Sequence, residues 1–273
     1  MFDSQRAEIA QLQRAIAGLG IILAAILLAC LAYSAQGQGI ALDLVFEPPS
    51  FEYWFGTDVM GRDMWARTLS GLLLSLQIGG GAALLSGLIA MALTVLAGLD
   101  KRGEWVVALL VDIFMAIPHL LLLIIMTLAL GGGMNGVIWA VALTHWPKLT
   151  RLLVEEQRGL MRCQFVQLAR QFGRPKWYIQ WHHVLPFLLP HCLIGILLMM
   201  PHALVHVSGL TFLGFGLEPT TPSIGILLSE ASRYMLSGNW WLAVFPGLVL
   251  LLVLLLLSAI GQSCVRLFQV RGY

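Results

Sequence analysis

The chain has 273 residues, 59% of them apolar and only 11% charged, with a formal net charge of +2. Soluble domains carry roughly a quarter charged residues, so this composition belongs in a membrane, where each helical crossing of a ~30 Å hydrocarbon core takes about 20 apolar residues. Several spans fit, a second large soluble domain does not, and nucleic-acid binding is excluded because no Lys/Arg run is dense enough to track phosphates.

The first apolar run, residues 15–33, follows a tail holding Arg6 and Arg14. A signal peptide cut near Ser34 would share this pattern, but the run is long enough to anchor and is read as an uncleaved first helix. Further apolar runs cover residues 72–99, 105–130, 134–154, 187–208 and 241–264, making six candidate spans. The fourth is the weakest, because its purely apolar part ends at Trp146 before Pro147. Leu149, Leu152, Leu153 and Val154 continue it as an amphipathic end. Lipid supplies no partners for backbone amides, and no ten-residue alternation of a β-barrel is present, so the spans are expected to be α-helices.

Basic loops stay cytoplasmic. With the N-terminus inside, the inner segments hold 13 Lys and Arg residues, from Arg6 through Lys148 and Arg151 to Arg271; the outer ones hold Arg62, Arg67 and Arg233. The reading is therefore an all-α integral membrane protein with six transmembrane helices and both termini cytoplasmic. It divides into 1–34 (tail and first span), 35–70 (outer segment), 71–264 (transmembrane domain, with an inner loop at 151–186) and 265–273 (cytoplasmic tail). Small residues such as Ser75, Gly79, Gly80, Gly81, Ala82, Ala83, Ser86 and Gly87 suit close packing of the second helix. Neither Gly79–Gly81 nor Gly131–Gly133 is a phosphate loop, since no G-x-x-x-x-G-K-[ST] occurs. The four cysteines form no C-x-x-C pair, so neither a disulfide framework nor a zinc knuckle is expected.

Two polar segments carry motifs. The outer one contains FGTDVMGRDMWARTLSGLLLSL, Phe55 to Leu76; the inner one contains QFVQLARQFGRPKWYIQWHHVLP, ending at Pro186. The inner segment reads as two amphipathic helical pieces separated around Gly173 to Pro175. Val166, Ala169 and Phe172 or Gly173 share one helical face that suits a partner's groove; anionic lipid is the other surface its arginines suit. Gly173 allows a turn where a Cβ could clash, and Pro175 discourages continuation of the helix.

The outer motif is similar to the G-T-D-x-x-G-R-D-x-x-S-R signature of permease subunits of bacterial ABC importers, in the branch handling peptides, nickel and related cargo; Ala66 stands where a small hydroxyl residue is usual. The positions concerned are Gly56, Thr57, Asp58, Gly61, Arg62 and Asp63. The inner motif resembles the EAA coupling loop, with Gln167, Leu168, Ala169, Gly173 and Pro186 on its positions and Gln167 replacing a frequent Glu. The resemblance implies docking onto an ATPase through Val166, Gln167, Ala169, Arg170, Phe172 and Gly173. It also implies a second homologous permease, two cytoplasmic ATPases holding ATP and Mg, an extracytoplasmic substrate-binding protein, and a place in the lipid of the bacterial inner membrane. The chain itself would bind no cofactor and catalyse nothing. S-G-L-T-F-L-G-F-G-L resembles the segment after the fifth span of the same branch, and H-x-x-x-H at His202 and His206 with T-H-W at His145 looks most like a nickel importer's second permease subunit.

Cargo is accordingly expected to be nickel or a related metal chelate, with di- or oligopeptides as the alternative and a proton-coupled secondary transporter as the alternative of another class. His202 and His206, four apart, project from one helix face, and neutral imidazole ligates Ni²⁺, Co²⁺, Zn²⁺ or Cu²⁺. Met199 lies one turn earlier. These three with His145 and Asp112 make up the expected translocation path, with transient metal contact at His202 and His206. Hydrogen bonding to neighbouring helices is the other role open to the histidines. Asp112 is either a functional intramembrane acid or a residue near the inner boundary. Pro118 and His119 could mark a kink.

Overall fold

Every long apolar run becomes helix, because in lipid only a helix satisfies its own amides. The computed structural model describes residues 2–33 and 39–270, with side chains from residue 8 onward. The Arg6 side chain, Ser34 and Arg271 of the sequence reading lie outside this range. The elements are α1 (Phe2–Tyr33), α2 (Met64–Leu99), α3 (Lys101–Ala116), α4 (His119–Ala129), α5 (Gly133–Leu160), α6 (Gln164–Gln171), α7 (Lys176–Ile179), α8 (Leu185–Phe212), α9 (Ile224–Ser232) and α10 (Trp241–Val270). There is no strand among the described residues; one isolated bridge pairs Thr57 with Asp63.

α2 is the axis of the fold, about 54 Å long at 1.5 Å per residue, and it packs most extensively against α5 and then α8. Its small residues make this approach close: Ser75, Ala82, Ala83, Ser86 and Ala90 are fully buried, and a Cβ on Gly87 would overlap Ile196 of α8. α1 lies on α10 at one side, where Cys30 is buried in an apolar cluster with Val253 and Leu257. Large apolar side chains such as Ile21, Leu88, Leu193 and Leu255 are left on the outside, as a lipid-facing surface requires.

Four helices are long and apolar enough to cross a membrane: residues 8–33, α2, the continuous helix from Lys176 through α8, and α10. The expected third span is broken. Pro118 lacks an amide hydrogen and drives Ile117 to an extended conformation, φ −83°, ψ 135°, and α3 and α4 meet at 99°. Counting that pair as one span makes five. The expected fourth span is α5, which falls short of the apolarity of the others for a structural reason. It is wrapped by α2, α8, α3 and α4, so it buries Thr144, His145, Thr150 and Gln157 inside protein rather than showing apolar groups to lipid. The Thr144 and Thr150 hydroxyls donate to carbonyls of their own helix, Ala140 at 2.9 Å and Trp146 at 2.9 Å, and so need no outside partner.

Candidate functional site

Candidate residues gather at three levels: a loop ahead of α2, the opposite end around α6, and a histidine cluster between them.

At the first level the G-T-D-x-x-G-R-D motif ties the loop to the helix ends. Gly61 has φ +68°, and a Cβ there would overlap the Ala41 carbonyl, so only glycine closes this turn. The Thr57 hydroxyl donates to the Leu44 carbonyl and accepts from the Glu47 amide at 2.8 Å, while the Trp241 indole donates to the Thr57 carbonyl at 3.3 Å. Asp58, 3% exposed, accepts from the amides of Met60 (2.7 Å) and Arg62 (2.9 Å) and from the Arg62 Nε (2.7 Å). Arg67 joins it from α2 at 2.5 Å and reaches Glu230 of α9 at 3.0 Å, making an ion network with little solvent. Glu230 and Trp241 escaped the sequence reading, for they lie 163 and 184 positions from their partners. Phe55 stacks on Phe245 with centroids 4.4 Å apart and meets Trp65 edge-on at 4.8 Å. Such an aromatic cluster is typical where protein meets the membrane interface.

Asp63 caps α2, its carboxylate accepting from the Trp65 amide at 2.9 Å. Burial pushes its pKa up, and the amides of Trp65 and Ala66 draw it back down. Asp63→Ala is expected to cost about 1 kcal/mol, localised to the first turn because the rest of α2 is held by packing. Hydrogen exchange at Trp65 to Arg67 measures it; undiminished protection there would deny the cap its role.

At the other end, α6 is fixed by its own packing. Val166 is fully buried and Ala169 is 8% exposed, within an apolar cluster shared with Val107, Leu153 and Ile179. The face expected to meet a partner is thus turned into the chain, because these are the apolar residues of an otherwise polar helix beside an apolar core. Phe165, Gln167, Leu168 and Arg170 are among the residues α6 leaves outside, and Phe172 just past its end has 78% of its surface exposed. Gly173 has φ +73°, and a Cβ placed on it would meet nothing within 4 Å, so the expected clash is absent and backbone conformation is what requires glycine. The Gly173 amide donates to the Arg170 carbonyl at 2.9 Å and the Arg174 amide to Ala169 at 3.2 Å, a Schellman closure of the helix. Gln167 donates from Nε2 to the Met161 carbonyl at 3.1 Å, a bond a carboxylate could not make.

Beside α6 lies a cleft of ≈ 460 Å³ lined in part by Asp100, Glu104, Arg158, Gln167 and Arg170. Asp112 pairs with Arg151 of α5 at 2.5 Å, both more than half exposed, so its charge is neutralised locally. Met199 is partly buried against the apolar cluster that holds Val166.

Between the two ends, His119, His145 and His206 converge from α4, α5 and α8. Ring centroids are 4.5 Å apart for His119 with each of the others and 5.2 Å for His145 with His206. His202 is exposed and stands outside the converging set, although it shares α8 with His206. Of the expected path residues the structure therefore brings together His145 and His206, and adds His119, whose partners lie far along the chain on other helices.

Residues 82–271 match the family described as binding-protein-dependent transport system inner membrane component. A protein of Brucella suis biovar 1 (strain 1330), provisionally named a peptide transport system permease protein, is 30% identical over 249 residues, spanning 90% of this chain and 84% of that one. A second from the same strain, provisionally named a peptide permease protein, is 30% identical over 268 residues, 96% of this chain and 88% of its own length. The dipeptide transport system permease protein DppC of Bacillus subtilis (strain 168) is 28% identical over 253 residues, 91% and 79% of the two chains.

Proposed function

The chain belongs to the family of binding-protein-dependent transport system inner membrane components, and from that premise we propose that it carries short peptides. It is a multi-pass permease subunit of a bacterial inner-membrane ABC importer, a transport component rather than a catalyst. The observation carrying the cargo reading is the match, over 90–96% of this chain and 79–88% of theirs, to relatives named for peptide or dipeptide transport. Nickel keeps only the histidines in its favour, through their spacing on α8 and the convergence of His119, His145 and His206. A proton-coupled mechanism loses its relay acid, since Asp112 is exposed and paired with Arg151.

The chain forms half of the path, with a second permease as the other half. Its spans are α1, α2, the α3–α4 pair, α5, α8 and α10, with both termini and α6 on the cytoplasmic side. Two ATPase subunits bind and hydrolyse ATP with Mg. One of them meets the exposed Leu168 and Arg170 of α6 and Phe172 just past its end, and the Gly173 turn passes its movement to α7 and α8. A binding protein delivers peptide above the G-T-D-x-x-G-R-D loop. Nucleotide then shifts the assembly between inward and outward access, a coupling of distinct sites that is reciprocal in binding.

Extraction in mild detergent, with whatever subunits co-purify, and reconstitution in liposomes tests this. ATP-driven accumulation of a labelled dipeptide is expected, undiminished by excess Ni²⁺. Nickel accumulation without peptide accumulation would overturn the cargo, and recovery without an ATPase across several detergents would overturn the assembly.

A further inference from the structure

We propose that His119, His145 and His206 form a tris-imidazole site for a divalent transition-metal ion, joining the short helix α4 to α5 and α8. Among the described residues this is the one place where three potential ligand side chains from metal-binding residue types converge, each offering an atom within 4.8 Å of the others'. The three lie on separate helices, so chain folding rather than local spacing creates the group.

His145 is the anchor. It is 8% exposed, and its Nδ1 donates to the Val141 carbonyl at 2.9 Å, with the Thr144 hydroxyl 3.2 Å away. A carbonyl only accepts, so the proton sits on Nδ1 and Nε2 carries a free lone pair. That Nε2 is buried without a hydrogen-bond partner, in the arrangement by which a backbone carbonyl orients a metal-ligating imidazole. The Nε2 of His119 is likewise buried and unpartnered. Two adjacent buried imidazole nitrogens without partners cost free energy, and a shared cation supplies both with a bond.

The donor set selects the ion. Three neutral nitrogens and no carboxylate suit Zn²⁺, Co²⁺, Ni²⁺ or Cu²⁺ and leave Mg²⁺ and Ca²⁺, which require oxygen, unbound. Zn–N bonds of about 2.0–2.1 Å place tetrahedral nitrogens roughly 3.4 Å apart, so from separations within 4.8 Å the rings need close by no more than about 1.4 Å on loading. A fourth position stays open to water or a small anion. Exposed Lys148 lies one turn along α5 from His145. Its positive charge opposes a bare dication and favours an anionic fourth ligand. Val141 and Val207, neighbours of the ligands on their own helices, are fully buried in an apolar cluster with Leu123 and Ala203. On loading, the ion ties the start of α4, just past the Pro118 break, to α5 and α8, and this holds whatever cargo the importer carries.

The test uses the full chain, purified through a tag without histidine, stripped with chelator and titrated with Co²⁺ and then Zn²⁺. One Co²⁺ per chain with the visible absorption of a low-coordinate cobalt–imidazole centre is expected, displaced by Zn²⁺. His145→Ala and His206→Ala should each weaken binding at least tenfold, while His202→Ala and His191→Ala leave it unchanged. Zn²⁺ should raise the melting temperature of the parent chain but not of His145→Ala. Size exclusion and His145→Gln, which nearly preserves side-chain volume, separate lost ligation from lost folding. No saturable Co²⁺ binding, binding that survives loss of His145 and His206 together, or equal loss in His202→Ala would overturn the proposal.

Discussion

Arg67→Met is expected to lower the stability of the detergent-purified chain by about 3 kcal/mol, near the low end of what breaking a buried ion pair costs. The side chain is 8% exposed and bridges the side chains of Asp58, 4% exposed, and Glu230, 34% exposed. Removing it leaves the Asp58 carboxylate buried with Arg62 as its remaining cationic partner, which keeps the loss from being larger. A melting-temperature drop on the order of 5–6 °C follows from the usual entropy of unfolding for this chain size. The double variant Asp58→Asn/Arg67→Met should cost less than the sum of the two single changes, since the two groups share one network. Arg233→Met, at an exposed position, should stay within about 0.5 kcal/mol of the parent. If Arg67→Met melts with the parent, the network contributes no stability and the loop is held by its backbone turns alone.

Gly173→Val should abolish coupled transport, by tenfold or more, with the spans still inserted and the melting temperature little changed. The residue sits at φ +73° with open space around it, so the penalty is conformational, roughly 1–2 kcal/mol for a side chain in the left-handed region. That energy is easily relieved by unwinding the last turn of α6. The turn presents Leu168 and Phe172, and Val166 with Ala169 holds its other side in the core, so relief changes the surface proposed to meet the ATPase. Asn tolerates positive φ better than other non-glycine residues, so activity should fall in the order Gly, Asn, Ala, Val. Peptide-stimulated ATPase activity in liposomes measures the series. Wild-type coupling in the valine variant would refute the lever reading of this loop.

Part of the candidate site was legible where its chemistry is local: the sequence marked the turn at Gly173, which ends an eight-residue helix. Asp63 and Gly61 entered it only as positions of the outer motif, and the cap and the tight turn they make came from the structure. The reason assigned to Gly173 needed correction from steric clash to backbone conformation, because sequence shows that glycine is present but not what surrounds it. The docking face of α6 was misplaced for a related reason. Its apolar stripe was visible, yet helical periodicity does not say whether a stripe meets a partner or the chain's own core.

Composition and hydropathy by themselves determined that this is a helical membrane protein, because a backbone in lipid has nowhere else to place its hydrogen bonds. They also located the long helices, since a run of apolar side chains is a property of contiguous residues. Only tertiary structure decided that Arg67 meets Glu230, that α3 and α4 bend by 99°, and that His119 rather than His202 joins His145 and His206. Those outcomes depend on how separate helices pack, and packing joins residues that no local spacing relates.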